Sequence, residues 1–250
     1  MDSNIKELQN IIDNSRYTVF FGGAGISTES GIPDFRGKQG IYKKDIDTSN
    51  PFVSKQLEYK LSTLCMETEP SVFFDFYREN MDLRKYEPNI IHKKLAKFEK
   101  DNKLKAVITQ NVDGLHQKAG SKNVIEIHGS IYNNSCTKCN KQFGIEYVME
   151  STDIPRCPYC RLRKAIIKPG IILYGEKVPQ NQLDKAINHI KQADVLIVAG
   201  TSLSVNPAAD LIKQFNGSKS IFINNEKANT DFEFNIFIKD NIANVFKQLS

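Results

Sequence analysis

Two Cys-x-x-Cys pairs, Cys136 with Cys139 and Cys157 with Cys160, constrain this chain more than any other feature; seventeen residues separate the pairs. Each pair places two sulfurs on one tight knuckle, and two facing knuckles close a tetrahedral thiolate site suited to one Zn2+. Four protein ligands leave no coordination position for water, so such a zinc is structural. It holds a small lobe together, and the chemistry must lie elsewhere. Two disulfides would require an oxidising compartment, whereas residues 1–14 lack the apolar core of a signal peptide. A redox Cys-x-x-Cys would be single and would sit at a strand-to-helix turn. The fifth cysteine, Cys65, has no partner in sequence and reads as a small buried apolar residue.

The rest of the composition fits a soluble globular protein: 40% of the 250 residues are hydrophobic and 25% charged. No run approaches the roughly 18 apolar residues that a membrane span requires. The formal charge of +5 falls to about +3 once four thiolates and one Zn2+ are counted. The lysines are dispersed, so no direct nucleic-acid partner and no membrane are expected. The short termini leave no room for a targeting segment, which makes the expected location cytoplasmic and the default state a monomer.

Continuous apolar runs at residues 17–21, 104–108, 124–127, 195–199 and 220–223 read as strands, with helices at 92–100, 180–192 and 207–214. Ile5, Leu8, Ile11 and Ile12 mark an N-terminal helix after Asn4, with Glu7 placed as a capping-box partner. Strands apolar on both faces and alternating with helices give an α/β fold, a parallel sheet covered on both sides. Two stretches break the rhythm. Residues 38–87 are polar and rich in aromatics, with a helix at 70–81 and no convincing buried strand, and residues 132–164 carry the cysteines. Together these make a smaller lobe beside an α/β domain built from residues 1–37, 88–131 and 165–250. A ligand cleft is expected between the lobes, at the carboxyl ends of the strands.

The polar motifs fall at those strand ends. Gly22-Gly23-Ala24-Gly25-Ile26-Ser27 lets backbone amides approach a pyrophosphate. It departs from the dehydrogenase fingerprint, because Thr28 stands where the third glycine belongs and no ribose-binding acid follows at the required distance. No Gly-Lys-Ser/Thr is present, so it is not a nucleotide-hydrolysing P-loop. Gly31-Ile32-Pro33-Asp34-Phe35-Arg36-Gly37 has the make-up of a lid, with Arg36 suited to phosphate and Phe35 to covering a reactive face. Thr109-Gln110-Asn111-Val112-Asp113 and Gly200-Thr201-Ser202-Leu203 follow two further strands. His92, His116 and His189 lie in or beside helices, where packing or surface roles are expected. His128 ends a strand before Gly129, so its ring can face a cleft as a general base.

Taken in order, these segments, together with Tyr174-Gly175-Glu176, resemble the sirtuin family of NAD-dependent protein deacylases, in its bacterial-type, zinc-containing form. The resemblance runs from about residue 17 to the end. It implies a Rossmann-like domain with a small lobe made of a helical and a zinc module. It also implies NAD as co-substrate and acyl-lysine proteins or peptides as partners. By the same resemblance Ala24, Gly25, Thr28 and Arg36 hold the phosphates and nearby ribose, and Phe35 shields the reacting sugar. Gln110 and Asn111 position the ribose, with Asn111 counted among the catalytic residues. Val112 and Asp113 contact nicotinamide, and Thr201, Ser202, Asn224 and Asp240 bind the adenosine half. Ile172, Tyr174, Gly175 and Glu176 pair with the substrate backbone as an added strand. His128 is the general base, and the products are nicotinamide, the freed lysine and O-acetyl-ADP-ribose. Two other functions use the same motifs: protein ADP-ribosylation, and a non-enzymatic NAD or zinc interaction module. The intact Asn111, Asp113 and His128 favour deacetylation. Asn80 stands where sirtuins for acidic acyl groups carry an arginine three residues after a tyrosine, here Tyr77, so a neutral acyl group is expected.

Overall fold

The structure, a computed structural model, describes residues 3–33, 51–160 and 165–250. The first three strands are β1 (Thr18–Gly22), β2 (Ala106–Thr109) and β3 (Val124–Glu126). The short strands β4 (Asn134–Cys136), β5 (Gln142–Phe143) and β6 (Ile167–Lys168) form a separate antiparallel sheet in the order β5-β4-β6. Then come β7 (Val195–Ala199), β8 (Lys219–Ile223) and β9 (Ile236–Ile238). The large sheet is parallel, in the order β3-β2-β1-β7-β8-β9. The order reverses between β1 and β7, which opens a crevice at their carboxyl ends where ligands bind in such sheets. Register sets the rim: Gly22 pairs with both Thr109 and Ala199, so three loops leave the sheet at one level.

Among the described residues ten α-helices surround the sheets: α1 (Ser3–Asn14), α2 (Pro51–Lys60), α3 (Thr63–Thr68), α4 (Pro70–Met81), α5 (Ile90–Lys100), α6 (Leu115–Lys118), α7 (Ile145–Met149), α8 (Gln180–Gln192), α9 (Ala208–Leu211) and α10 (Ile242–Gln248). Strand alternation divides the core. Phe20, Val107, Ile197 and Ile221 face α1, α5 and α10 through Leu8, Leu95 and Phe246, while Phe21, Ile108, Val198 and Phe222 face α8 and α9 through Ile190 and Leu211. Both faces of the central strands are buried, which is why their sequences are unbroken apolar runs. Among the described residues no helix is long and apolar enough to cross a membrane.

A third core lies in the small lobe. Cys65, Phe73, Phe74, Tyr77 and Met81 from the helices pack with Cys136, Ile145, Val148 and Ile167 from the cysteine-bearing segment. Arg84 bonds Asp82 and, at 2.9 Å, Glu150, while Arg78 reaches Ser151 Oγ and Asp153 O at 3.1 Å. One hydrophobic cluster and two arginines therefore join the 51–87 and 132–160 stretches.

The elements differ from the sequence reading at their edges. Helix α1 begins at Ser3, so Asn4 lies inside it rather than before it. Helix α5 begins at Ile90 because Asn89 caps it: its Oδ1 accepts from Ile91 N–H and its own N–H donates to His92 Nδ1. The helix expected at 207–214 is two pieces, α9 and a 3-10 turn over Ile212–Gln214. Helices α2 and α3 and strand β9 had no counterpart in that reading; β9 is only three residues long, too short for periodicity to register. His92 and His116 are fully buried, 4.7 Å apart between α5 and α6. Burial brings His92 down to about 4 and His116 well below its usual value, so both pack as neutral rings. Cys65 is buried, as its isolation in the sequence suggested.

Candidate active site

The loops after β1, β2 and β7 interlock at the rim. Gly23 N–H donates to Ala199 O (3.3 Å) and Gly25 N–H to Gly200 O (2.8 Å). A Cβ on Gly23 would stand 2.8 Å from Gln110 Oε1, Gly200 O and Thr201 Cβ, so only glycine admits this crossing. Thr201 Oγ1 donates to Gln110 Oε1 (2.8 Å) and accepts from Leu203 N–H (3.1 Å), which fixes the Gln110 amide. Gln110 Nε2 is left buried with no protein partner, a donor suited to an acceptor on a ligand. Asn224, at the end of β8, donates its Nδ2 to Thr201 O (3.3 Å). The glycine cradle and this orphaned donor fit a polyoxygenated ligand such as a dinucleotide.

Beside them lies a second polar knot. Asn111 Nδ2 donates to Ser27 Oγ (3.0 Å), and Ser27 Oγ donates to Asp113 Oδ2 (2.6 Å). Leu115 N–H donates to Asp113 Oδ1 (2.9 Å), so this buried carboxylate starts α6 while facing the glycine loop. Burial raises the Asp113 carboxyl above its usual range, partly offset by Ser27 and the Leu115 amide. Ser27 had no assigned role in the sequence reading. Its only signal was a place among the glycines, and pairing with Asn111 and Asp113 from 84 and 86 residues away is not legible there.

His128 follows β3. Its Nδ1 lies 3.1 Å from Gln110 O, and a carbonyl only accepts, so Nδ1 carries the proton and Nε2 keeps its lone pair. Burial lowers the imidazole below its ordinary value, with the Gln110 carbonyl pulling the other way. Gly129 follows with φ 75°, and a Cβ there would fall 2.1 Å from Gly170 O. That close approach brings the 170–176 segment to the site: Ile172 N–H donates to His128 O (2.9 Å). On its other side Tyr174 N–H donates to Leu61 O, and Thr63 N–H donates to Tyr174 O, both at 3.0 Å. Glu126, the last residue of β3 and two before His128, has its carboxyl raised to about 7 by burial, against hydrogen bonds from Gln117 and Ser130.

The remaining positions are more scattered. Ala24 is half-buried at the start of the glycine-loop 3-10 turn, and Thr28 is exposed with its hydroxyl on Gly25 O. Val112 is buried and packs into the small-lobe core. Ser202 is exposed and pairs with Ser204 at 2.8 Å. Asp240 follows β9 and accepts from Asn241 N–H, whose side chain donates to Glu29 beside the glycine loop. Asp34, Phe35 and Arg36 lie outside the described residues.

The four paired cysteines converge: their sulfurs all lie within 4.8 Å of one another. Cys136 Sγ to Cys160 Sγ and Cys139 Sγ to Cys157 Sγ are both 3.8 Å, far beyond a disulfide bond. Zinc–sulfur bonds of ~2.3 Å in a tetrahedron put neighbouring sulfurs about 3.8 Å apart, so the donor set fits Zn2+. Lys138 and Cys139 N–H both point at Cys136 Sγ, forming the knuckle.

The model of the Sir2 family matches residues 23–207, well over half of the chain. The chain belongs to the Sir2 family. Among its Sir2-family relatives, an NAD-dependent protein deacetylase of Clostridium acetobutylicum is 48% identical over 97% of this chain and 96% of its own length. Another of the same name, from Clostridium tetani, is 45% identical over 96% of this chain and 94% of its own. A solved Sir2–p53 peptide–NAD+ structure superposes with a TM-score of 0.83, with 35% identity over 99% of this chain and 96% of that one. A Sir2 bound to acetylated peptide superposes at 0.83 with 34% identity over the same shares. The Sir2 fold accounts for the sheet order and the four-cysteine cluster together.

Proposed function

We propose that this chain removes acetyl groups from protein lysines, using NAD as co-substrate and moving the acyl group to ADP-ribose. It is an NAD-dependent protein deacetylase. The observation that carries this is the 48% identity, over 97% of the chain, to a protein of that activity. NAD, when bound, supplies an anomeric carbon that takes up the acyl oxygen as nicotinamide leaves.

The roles we assign combine the family resemblance with the contacts described above. The 23–27 loop amides receive the phosphates with Ala24, Gly25 and Thr28; the family resemblance adds Arg36 for phosphate and Phe35 as the shield of the reacting sugar. Gln110 directs its unpartnered Nε2 at the ribose, while Thr201 holds the amide in that orientation. The Ser27 hydroxyl orients Asn111 and Asp113, which serve the ribose and the nicotinamide end with Val112. Ser202, Asn224 and Asp240 serve the adenosine end. His128, held by Gln110 O as the Nε2-basic tautomer, accepts a ribose hydroxyl proton. Alignment of the acyl oxygen accounts for much of the rate, since orientation contributes roughly 7–11 kcal/mol. The main-chain groups of Tyr174 are engaged by Leu61 and Thr63 and the Ile172 N–H by His128 O, so we assign pairing with substrate to the Ile172 carbonyl and the backbone of Gly175, flanked by Tyr174 and Glu176. Zinc on the four thiolates holds the small lobe and offers no reacting position. We read the chain as an α/β domain carrying a helical module (38–87) and a zinc module (132–164), a cytoplasmic monomer with no direct nucleic-acid partner.

The test is mass spectrometry of an acetyl-lysine peptide incubated with the protein, with and without NAD. Loss of the acetyl mass only with NAD, accompanied by nicotinamide and O-acetyl-ADP-ribose, is expected. An unchanged peptide alongside ADP-ribose mass added to protein would refute it in favour of ADP-ribosyl transfer.

A further inference from the structure

Where the chain leaves the cysteine-bearing sheet, β6 ends at Lys168. Ile167 pairs with Cys136 and Lys168 with Ser135, so this residue is anchored directly to the first cysteine knuckle. The next residues, from Pro169 onward, form the segment assigned above to the substrate. The Lys168 ammonium turns back into that segment. It donates to Pro169 O (3.1 Å) and Ile171 O (2.9 Å), and lies 3.0 Å from Glu176 Oε2. Three acceptors match the three N–H bonds of an ammonium group. Glu176 Oε2 also accepts from Leu173 N–H (2.8 Å), so the carboxylate closes the far end of the loop. Both side chains are mostly buried, 22% and 23% exposed, where an ion pair is screened less than one at the surface.

We infer that Lys168 is a positioning residue for the acyl-peptide, its ammonium serving as the hub around which residues 169–176 are wound into the shape that receives the substrate backbone. The inference rests on the functional reading above, since it needs that segment to be the peptide-binding strand. The segment is bonded at Ile172 to His128 and at Tyr174 to Leu61 and Thr63, and a backbone bond from Glu176 N–H to Leu173 O (2.9 Å) closes its turn. Lys168 adds a partner for the carbonyl of Ile171, and its ion pair holds the Glu176 carboxylate that receives Leu173 N–H. Among the described residues the polar partners of the ammonium are Pro169 O, Ile171 O and Glu176, none of them in the loops of the NAD rim. Its loss therefore acts on peptide affinity. A substrate then has to order a loose strand before pairing with it, which lowers apparent affinity by the fraction of time the strand is correctly formed.

Wild type, Lys168→Met, Lys168→Arg and Glu176→Gln are compared with an acetyl-lysine peptide and NAD, measuring KM for each substrate, kcat and bound zinc. Lys168→Met is expected to raise the peptide KM about tenfold or more, about 1.4 kcal/mol, while the NAD KM and kcat stay within about twofold. Lys168→Arg, which keeps the charge and several donors, restores the peptide KM to within about threefold of wild type. Glu176→Gln keeps an acceptor for Leu173 N–H but loses the charge, and raises the peptide KM by a smaller factor than Lys168→Met. Peptide KM values within about twofold of wild type for both Lys168→Met and Glu176→Gln overturn the inference. So does an equal rise in both KM values, or loss of zinc from Lys168→Met, either of which makes Lys168 a general structural residue. A wild type that fails to deacetylate overturns the functional reading along with it, and the wild-type arm separates that case from failure of the inference alone.

Discussion

Tyr77 offers a stability test that reads the small-lobe core directly. Its side chain is fully buried on α4, its ring stacked on Phe73 at 5.9 Å, and its hydroxyl has no hydrogen-bond partner. Burial, with the charge of Asp82 second, pushes the phenol far above its usual value, so the group is an uncharged O–H at neutral pH. A hydroxyl left unpaired in an apolar core costs about 1–3 kcal/mol. Tyr77→Phe deletes that oxygen and retains the ring, its rotamer and its stacking on Phe73. The expected gain is about 1–3 kcal/mol, with melting rising by about 2–4 °C for each kcal/mol in a chain of this size. Urea denaturation followed by circular dichroism, at saturating zinc, should show a higher midpoint with an unchanged slope. A lower midpoint with an unchanged slope would refute the reasoning, because the hydroxyl would then have a partner such as a trapped water.

His128→Ala should lower the deacetylation rate by about 10²–10⁴-fold while leaving NAD affinity near wild type; a folded variant with full activity would contradict its role as base. Because burial lowers the His128 imidazole, the base stays unprotonated down to below the ordinary value of ~6.5, so kcat/KM for peptide should be lost on the acid side only beneath that pH. A controlling acid limb centred above pH 7 would assign it to another group, with Glu126 the first candidate. Cys136→Ser should abolish zinc binding, measured by elemental analysis, and unfold the small lobe, because binding and folding are linked in such sites. One zinc per chain and an unchanged melting profile would overturn that assignment.

Much of the architecture was readable from pattern. Strands buried on both faces have unbroken apolar sequences, and β7 was read with both boundaries, as were α4 and α8. Helix starts were harder, because a cap is a side-chain geometry: Asn89 moved the start of α5 by two residues through bonds to Ile91 and His92. Strand β9 escaped because three residues carry no period, and its place is secured by Asn235, which accepts from both Ser220 N–H and Ser220 Oγ. The motif residues were visible as residues, but their partners were not. Thr201 was assigned to the adenosine half, yet its hydroxyl is engaged by Gln110 and Leu203. Tyr77 shows the same limit, since nothing in a Phe-Tyr-Arg run reveals that its hydroxyl is sealed in a core while Asn80 turns back to Phe76 O.

The central strands, the longer helices, the zinc donors and the order of the polar loops were legible in one dimension, because periodicity, cysteine spacing and strand-end motifs are local. The tertiary structure decided which of those groups meet: Ser27 with Asp113, Gln110 with Thr201 and His128, and Lys168 with Glu176. The first two contacts depend on the parallel register that brings Gly22, Thr109 and Ala199 level at one rim. The last depends on a loop folding back around an ammonium group. Such contacts are set by packing across many intervening residues, and spacing along the chain carries no record of them.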